Sequence, residues 1–416
     1  MNVLMITPYV TIAGRKEFER NKTGFGYMVM DIAKAEGKLE QVDVLATDSR
    51  GKAFEHEGVH FQSRSILKYI CAMLSCLSLS VIIKLRNEYK MSKASFVRLI
   101  YCWLMTGYLK RVIQKGKYDI VHIHGCGFST EIWMQVCRRC EQIFVVTLHG
   151  LNSFSDTVKL EPAGKQYERD FLKRVTDGEI PITVISTGMK KIIEKTYSTP
   201  DCKNITVVCN SFSFDEVRNI FDGVKSIREK YNIPQEAKVL LYVGNISKNK
   251  NQAQMVRAFG SLPEDLRGQT YVLFCGEYQI KDGDIDIEKA ISNTPNTEHL
   301  VLCGGVNKEK MPDYYREANG VVLLSYAEGF GLSLIEGMHF GLPCVMPKDL
   351  DAFEDIYDDC SVVTLKSRSD NDVAEAVIEL VTRLWDKDAI KEYSKRFESE
   401  TMARKYNNVY QTIIEG

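Results

Sequence analysis

Two hydrophobic rhythms alternate along the 416-residue chain. Short, unbroken apolar runs such as VLLYV at 239–243 are separated by longer stretches whose apolar residues recur every three or four positions. Unbroken Val/Ile/Leu runs predict strands buried on both faces. They fall at 2–8, 42–47, 118–125, 143–150, 181–187 and 204–211, and again at 238–246, 270–277, 299–305, 320–325 and 343–347. Strand alternating with helix predicts right-handed crossovers and parallel sheets. The rhythm breaks near 212–237, a polar helical stretch holding Pro234, between two complete sets. The expected fold class is α/β, with two Rossmann-like doubly wound parallel-sheet domains at 1–214 and 215–392. From 369 onward the chain reads as charged helix with no sixth strand to feed. Its end, 393–416, is free in this pattern to cross back to the first domain. Such sheets bind ligands beyond the carboxyl ends of their strands, so a cleft between two such edges is the expected active site.

Composition narrows the classes. Hydrophobic residues make up 44% and charged residues 26%, an ordinary balance for a chain with ample core. A net charge of −1 argues against nucleic acid as a partner of the whole chain. The opening MNVLMITP lacks a basic region, a long apolar segment and a small-residue cleavage site, so no signal peptide is expected. The 12 cysteines sit mostly inside apolar runs, as free thiols in a reducing compartment do, and a cytoplasmic location follows. Cys137 and Cys140 have redox or zinc spacing, but no second pair follows them, and a structural role is favoured.

The segment EGFGLSLIEG, 328–337, is the richest in chemistry. The buried run GVVLLS ends, Gly329-Phe330-Gly331 makes a turn, and a helical pattern opens at Leu332. Glycines let backbone N–H groups approach a ligand, and a helix N-terminus offers unpaired donors to an anion. Glu328 would lie in the loop and Glu336 about one and a half turns into the helix. Carboxylates make poor phosphate ligands and good acceptors for hydroxyls. Two of them flanking an anion hole suggest phosphates in the middle of the ligand and hydroxyls at both ends, the shape of a nucleotide sugar. Glutamates also favour helix N-termini for their own sake, so the pair alone is weak.

SYAEGFGLSLIEGMHFGLPCV closely resembles the donor-site signature of the retaining GT-B glycosyltransferases with an E-(seven residues)-E motif, a glycosyltransferase family 4-like group. LYVGNISKNKNQAQMVRAF, VVCNSFSFD, VVTLHGL and NKTGFGYMVMDIAKA resemble further segments of that family in the expected order, over nearly the whole chain. The resemblance implies roles. Glu328 would bind donor-sugar hydroxyls near the reacting carbon and Glu336 the ribose hydroxyls. The amides of Phe330, Gly331 and Leu332 would face sugar and phosphate, beside Gly329. Lys250 would contact the diphosphate and stabilise the leaving group. His149 would touch the donor sugar or assist at the reaction centre. Thr23, Gly24, Phe25 and Gly26 would line the cleft near phosphate and acceptor. No metal or cofactor is implied, and anomeric configuration would be retained.

Read without the family, these residues say less. Lys250 lies between a strand and a helical pattern, where a phosphate contact and a solvated lysine read alike. His149 alone reads as a structural histidine ending a buried strand. His122 and His124 share a strand face, but no carboxylates accompany them as a metal site would require. Gly24 and Gly26 alone read as turn residues. Two departures stand out. The family usually has an arginine where Asn245 stands, which removes one charge from the donor site. Cys209-Asn210-Ser211 replaces the usual Pro-Asn-Gly.

Residues 64–117 carry eleven basic side chains against the single acid Glu88. The apolar run 69–83 lies between Lys68 and Lys84, and at 15 residues it is too short to span a bilayer. Basic flanks and interleaved aromatics at 96–109 suit a helix lying on an anionic membrane. The expectation is a peripheral membrane enzyme that moves a sugar from a nucleotide sugar to a glycan or lipid-linked acceptor in surface polysaccharide assembly. Two alternatives are an epimerase of the same fold and a non-catalytic nucleotide-sugar-binding subunit, the latter kept open by Asn245.

Overall fold

The computed structural model describes residues 1–12, 14–18, 24–48, 51–62, 75–155, 160–212, 226–278 and 287–416. Thr23, Arg64, Lys68, the 69–74 part of the apolar run and the 213–225 part of the polar stretch lie outside the described residues. The chain divides into two compact units, residues 1–210 with 399–416, and residues 211–398. Strands, and helices of seven residues or more, are numbered in chain order.

The first unit is built on β1 (Asn2–Thr7), β2 (Gln41–Ala46), β3 (Phe54–His56), β4 (Val59–Phe61), β5 (Ile120–His124), β6 (Phe144–Leu148), β7 (Ile182–Val184) and β8 (Ile205–Val207). They form one sheet in the order β3-β4-β2-β1-β5-β6-β7-β8, parallel except for the β3–β4 hairpin. Its helices are α1 (Gly24–Gly37), α2 (Leu79–Tyr89), α3 (Lys93–Leu104), α4 (Thr106–Gly116), α5 (Phe128–Arg139), α6 (Pro162–Thr176) and α7 (Thr187–Tyr197). All five residues of β5 are buried, as the apolar run IVHIH predicts even with two histidines inside it. The 181–187 run is shorter as a strand than its pattern suggests, because Ser186 leaves the sheet and caps α7, accepting from Met189 N at 3.3 Å.

The second unit holds β9 (Lys238–Val243), β10 (Thr270–Cys275), β11 (Leu300–Gly304), β12 (Gly320–Val322), β13 (Cys344–Met346) and β14 (Val362–Thr364). All are parallel, in the order β11-β10-β9-β12-β13-β14. The sixth strand, β14, corrects the expectation of five. Its residues VVT are set in the polar stretch DDCSVVTLKSRSD and do not stand out of the sequence as a strand. The helices are α8 (Gln252–Gly260), α9 (Met311–Glu317), α10 (Leu332–His339), α11 (Asp370–Thr382) and α12 (Lys387–Ser394). Leu240 and Tyr242 of β9 pack into one core with Met255 and Phe259 of α8 and Val373, Val377 and Leu380 of α11. Val239 and Leu241, with the opposite parity, are also wholly buried, so the strand is covered on both faces.

The last helix, α13 (Ser399–Glu415), belongs to the first unit and packs on α1. Its Tyr410 hydroxyl lies 2.7 and 2.8 Å from the two Glu36 oxygens of α1 and 2.6 Å from His122 Nδ1 of β5.

Candidate active site

In the second sheet the strand order reverses between β9 and β12. The crevice beyond the carboxyl ends of these two strands is where doubly wound sheets take ligands. Two predicted residues meet there. Lys250, seven residues past β9, forms an ion pair through Nζ with Glu328 Oε2, six residues past β12. Ser325 Oγ donates to the same oxygen at 3.3 Å. The two side chains are 24% and 20% exposed, so a ligand can reach both. The ammonium has three N–H donors and the carboxylate two acceptor oxygens, so the pair can serve an anion and a hydroxyl side by side.

The chain around this pair is tightly held. Asn249 clamps the opposite loop, accepting from Ala327 N at 3.0 Å and donating to Ala327 O at 2.8 Å. The buried Tyr242 hydroxyl receives Leu324 N at 2.9 Å and contacts Lys250 O, and burial pushes its pKa up. The stem of Lys250 lies over Gly244, where φ is +140° and an added Cβ would come within 3.3 Å of Cε. Asn245 is exposed, and its carbonyl accepts from Gln252 Nε2 at 3.1 Å.

The turn after Glu328 runs through Gly329 to Phe330, which is buried with its ring edge-on to Phe397 at 5.8 Å. Gly331 then caps α10 at φ +91°, a left-handed conformation that favours glycine. Leu332 opens the helix and Glu336 is its fifth residue, with Tyr315 OH donating to Oε2 at 2.6 Å. Burial, then the neighbouring carboxylate, pushes the Tyr315 pKa well up, so the phenol remains a donor.

The remaining predicted residues lie in the first unit. Gly24 opens α1, and Gly26 packs so closely on the loop after β1 that a Cβ would meet Thr11 Oγ1. His149 directly follows β6. Its ring meets the edge of Phe25 at 4.9 Å, and its Nε2 lies 3.1 Å from His124 Nδ1. Burial lowers the pKa of His149 to about 4, so the ring is neutral at physiological pH. His122 does not pair with His124 as metal ligands would: its two nitrogens face Tyr410 OH and Thr147 Oγ1, the latter at 2.5 Å.

Sequence reasoning missed several partners. Arg368, just before α11, donates to Leu324 O at 3.0 Å and Ser325 O at 2.8 Å while its guanidinium pairs with Asp349. It fastens the exit of β12 from a point 40 residues beyond Glu328, with no local motif to reveal it. Asn249 and Tyr315 are hidden in the same way.

Residues 224–397 match the family model described as glycosyl transferases group 1, and residues 23–216 match glycosyltransferase family 4. The chain belongs to the family 4-like glycosyltransferases. The glycosyltransferase is 23% identical over 316 residues to an uncharacterized 41.2 kDa protein in the cps region of Klebsiella pneumoniae, covering 73% of this chain and 81% of that one. Sucrose-phosphate synthase from Thermosynechococcus elongatus shares its fold with a TM-score of 0.71 at 16% identity, over 100% of both chains. Anabaena Alr3699/HepE, solved in complex with UDP and glucose, gives 0.69 at 12% identity, covering 99% of this chain and 100% of that one. The fold of the glycosyltransferase is therefore GT-B.

Proposed function

We propose that this glycosyltransferase moves a sugar from a nucleotide-diphosphate sugar to a glycan or lipid-linked acceptor in the assembly of surface polysaccharide or glycoconjugate. The observation that carries the reading is the Lys250–Glu328 pair at the β9/β12 switch point, beside the glycine-capped start of α10. Lys250 and the amides of Phe330, Gly331 and Leu332 take the diphosphate, Glu328 the sugar hydroxyls and Glu336 the ribose. The sugar carbon–oxygen bond to phosphate breaks with its electron pair going to the diphosphate. The acceptor oxygen bonds to the same face of that carbon, and its proton passes to a phosphate oxygen, so configuration is retained. The complex of HepE with UDP and glucose supports this choice of donor. The test is release of nucleoside diphosphate from a panel of nucleotide sugars in the presence of membrane lipid extract. Release that falls at least tenfold in Lys250→Ala supports the reading, and release untouched by that change sinks it.

The acceptor is read from α2 and α3. Among the described residues ten large apolar side chains are exposed, and four lie on these helices: Leu79 and Ile83 (46% each), Val97 (44%) and Tyr101 (61%). Each pair is spaced i, i+4 and so shares a helix face. Lys84, Arg86, Lys90, Lys93 and Arg98 are exposed around them, and Arg86 stacks on Phe96 at 4.4 Å. Among the described residues no helix is long and apolar enough to cross a membrane. We read this face as one that rests on an anionic bilayer and meets a lipid-linked acceptor there. Sedimentation with anionic vesicles, lost in high salt and in Val97→Ser/Tyr101→Ser, is the expected result. Absence of salt-sensitive binding by the unaltered protein rejects it.

A further inference from the structure

We propose that His124 is a positioning residue for His149, holding it in the tautomer that presents Nδ1–H as a neutral donor to a ligand oxygen. This rests on the reading of His149 as a donor-site residue.

The argument starts from proton counting. His124 is fully buried, its ring 4.0 Å from that of His122 and 5.4 Å from that of His149. Burial lowers the pKa of both His124 and His149, so both rings are neutral and each carries one N–H. His124 Nδ1 and His149 Nε2, 3.1 Å apart, share a single proton between them. The other two nitrogens, His124 Nε2 and His149 Nδ1, are buried with no hydrogen-bond partner among the described residues. One of these two must bear the second proton.

Burial decides which. An N–H sealed in a core with no acceptor is among the rarest of buried polar groups, while a bare lone pair is better tolerated. His124, although the last residue of β5, has no exposed surface, and its ring packs against that of His122. His149, one residue past the end of β6, keeps part of its surface exposed even though Nδ1 itself is covered, so its ring, unlike that of His124, borders solvent. The proton therefore sits on His149 Nδ1, and His124 Nδ1–H donates to His149 Nε2. His122 cannot compete for His124, because both its nitrogens are engaged with Thr147 and Tyr410. The Phe25 ring also packs against His149 in a T-shaped contact at 4.9 Å. His149 then acts on its ligand as a donor to a hydroxyl or phosphate oxygen and not as a general base.

The test is the long-range proton–nitrogen correlation spectrum of the full chain labelled with 15N-histidine, with His149→Phe used to assign the signals. The expected spectrum shows Nδ1 protonated and Nε2 bare in both His124 and His149. Protonation of His149 at Nε2 overturns the proposal. This readout needs no turnover, so it stands apart from failure of the sugar-transfer reading, which would show as no nucleotide sugar being bound. Kinetics supply the second arm. His124→Asn keeps an amide N–H close to the former Nδ1–H and should hold the donor KM within about twofold. His124→Leu should raise it roughly tenfold, the effect of losing one oriented hydrogen bond, with a smaller change in kcat. Equal KM values in the two variants overturn the positioning role. If His124→Leu does not fold, the spectrum of the unaltered protein still decides.

Discussion

Replacing Glu36 by glutamine should flatten the dependence of stability on pH between 6.5 and 8. The Glu36 carboxyl is 1% exposed, and both its oxygens lie within hydrogen-bond distance of the Tyr410 hydroxyl. Burial pushes its pKa from 4.5 up to about 8. The protonated acid can donate to the Tyr410 oxygen, which frees the tyrosine O–H for His122 Nδ1. The folded chain thus keeps a proton that the unfolded chain releases above pH 4.5. Its contribution is fully present below pH 4.5, falls as pH rises through the window, and is gone above about 8. Each pH unit in that window is worth about 1.4 kcal/mol, so the whole window is worth roughly 5 kcal/mol. The buried histidines work in the opposite sense. His122 and His149 are lowered from 6.5 to about 3 and about 4, so their contribution is present above pH 6.5 and declines as pH falls below it. Of these three groups only Glu36 acts between 6.5 and 8, where it should cost the unaltered protein about 2 kcal/mol. Glutamine is neutral throughout and has no such slope. Denaturant unfolding of both proteins at the two pH values measures the difference, in which groups common to both cancel. Equal slopes would refute a protonated Glu36 in the folded state.

Three further outcomes are expected. Asn249→Ala removes both side-chain bonds to Ala327 and should cost about 1–2 kcal/mol in denaturant unfolding, with donor affinity falling as the Glu328 loop loosens. Tyr315→Phe leaves the Glu336 carboxylate without its phenol donor and should weaken nucleotide binding roughly tenfold by calorimetry while the fold stays intact. Trp133→Ala, at a 2% exposed core position of the first unit, should cost about 3–5 kcal/mol and lower the unfolding midpoint without direct contact with the site.

The fold was legible wherever a strand is long and buried on both faces. β1, β5, β6, β9 and β10 each have five or six residues and announce themselves as apolar runs. The β3–β4 hairpin was not legible, because its strands FEH and VHF are three residues each and interleave polar side chains. β14 escaped because its VVT stands in the polar stretch DDCSVVTLKSRSD, whereas the equally short β12 is extended by the apolar Leu323 and Leu324. At the site, Glu328, Glu336 and Lys250 could be picked out because they sit in local segments with a strand before and a helix after. That Lys250 and Glu328 pair with each other, 78 residues apart, follows from strand order and not from either segment. Asn249, Tyr315 and Arg368 act across comparable distances through single side chains, and such contacts leave no periodic trace. The histidine cluster shows the converse. The spacing of His122 and His124 was visible, but the register that sets β5 beside β6 is what brings His149 to His124.

Thermal unfolding against a panel of nucleoside diphosphates and nucleotide sugars, for the unaltered protein and Glu336→Ala, addresses the central claim most directly. A ligand at 100 times its Kd should add about 2.7 kcal/mol of stability. The account predicts that the compounds of one base stabilise the unaltered protein and lose that effect in Glu336→Ala. If no compound in the panel shifts the unaltered protein, the site beyond β9 and β12 holds no nucleotide sugar. Asn245 in place of arginine then marks a donor site that has been lost.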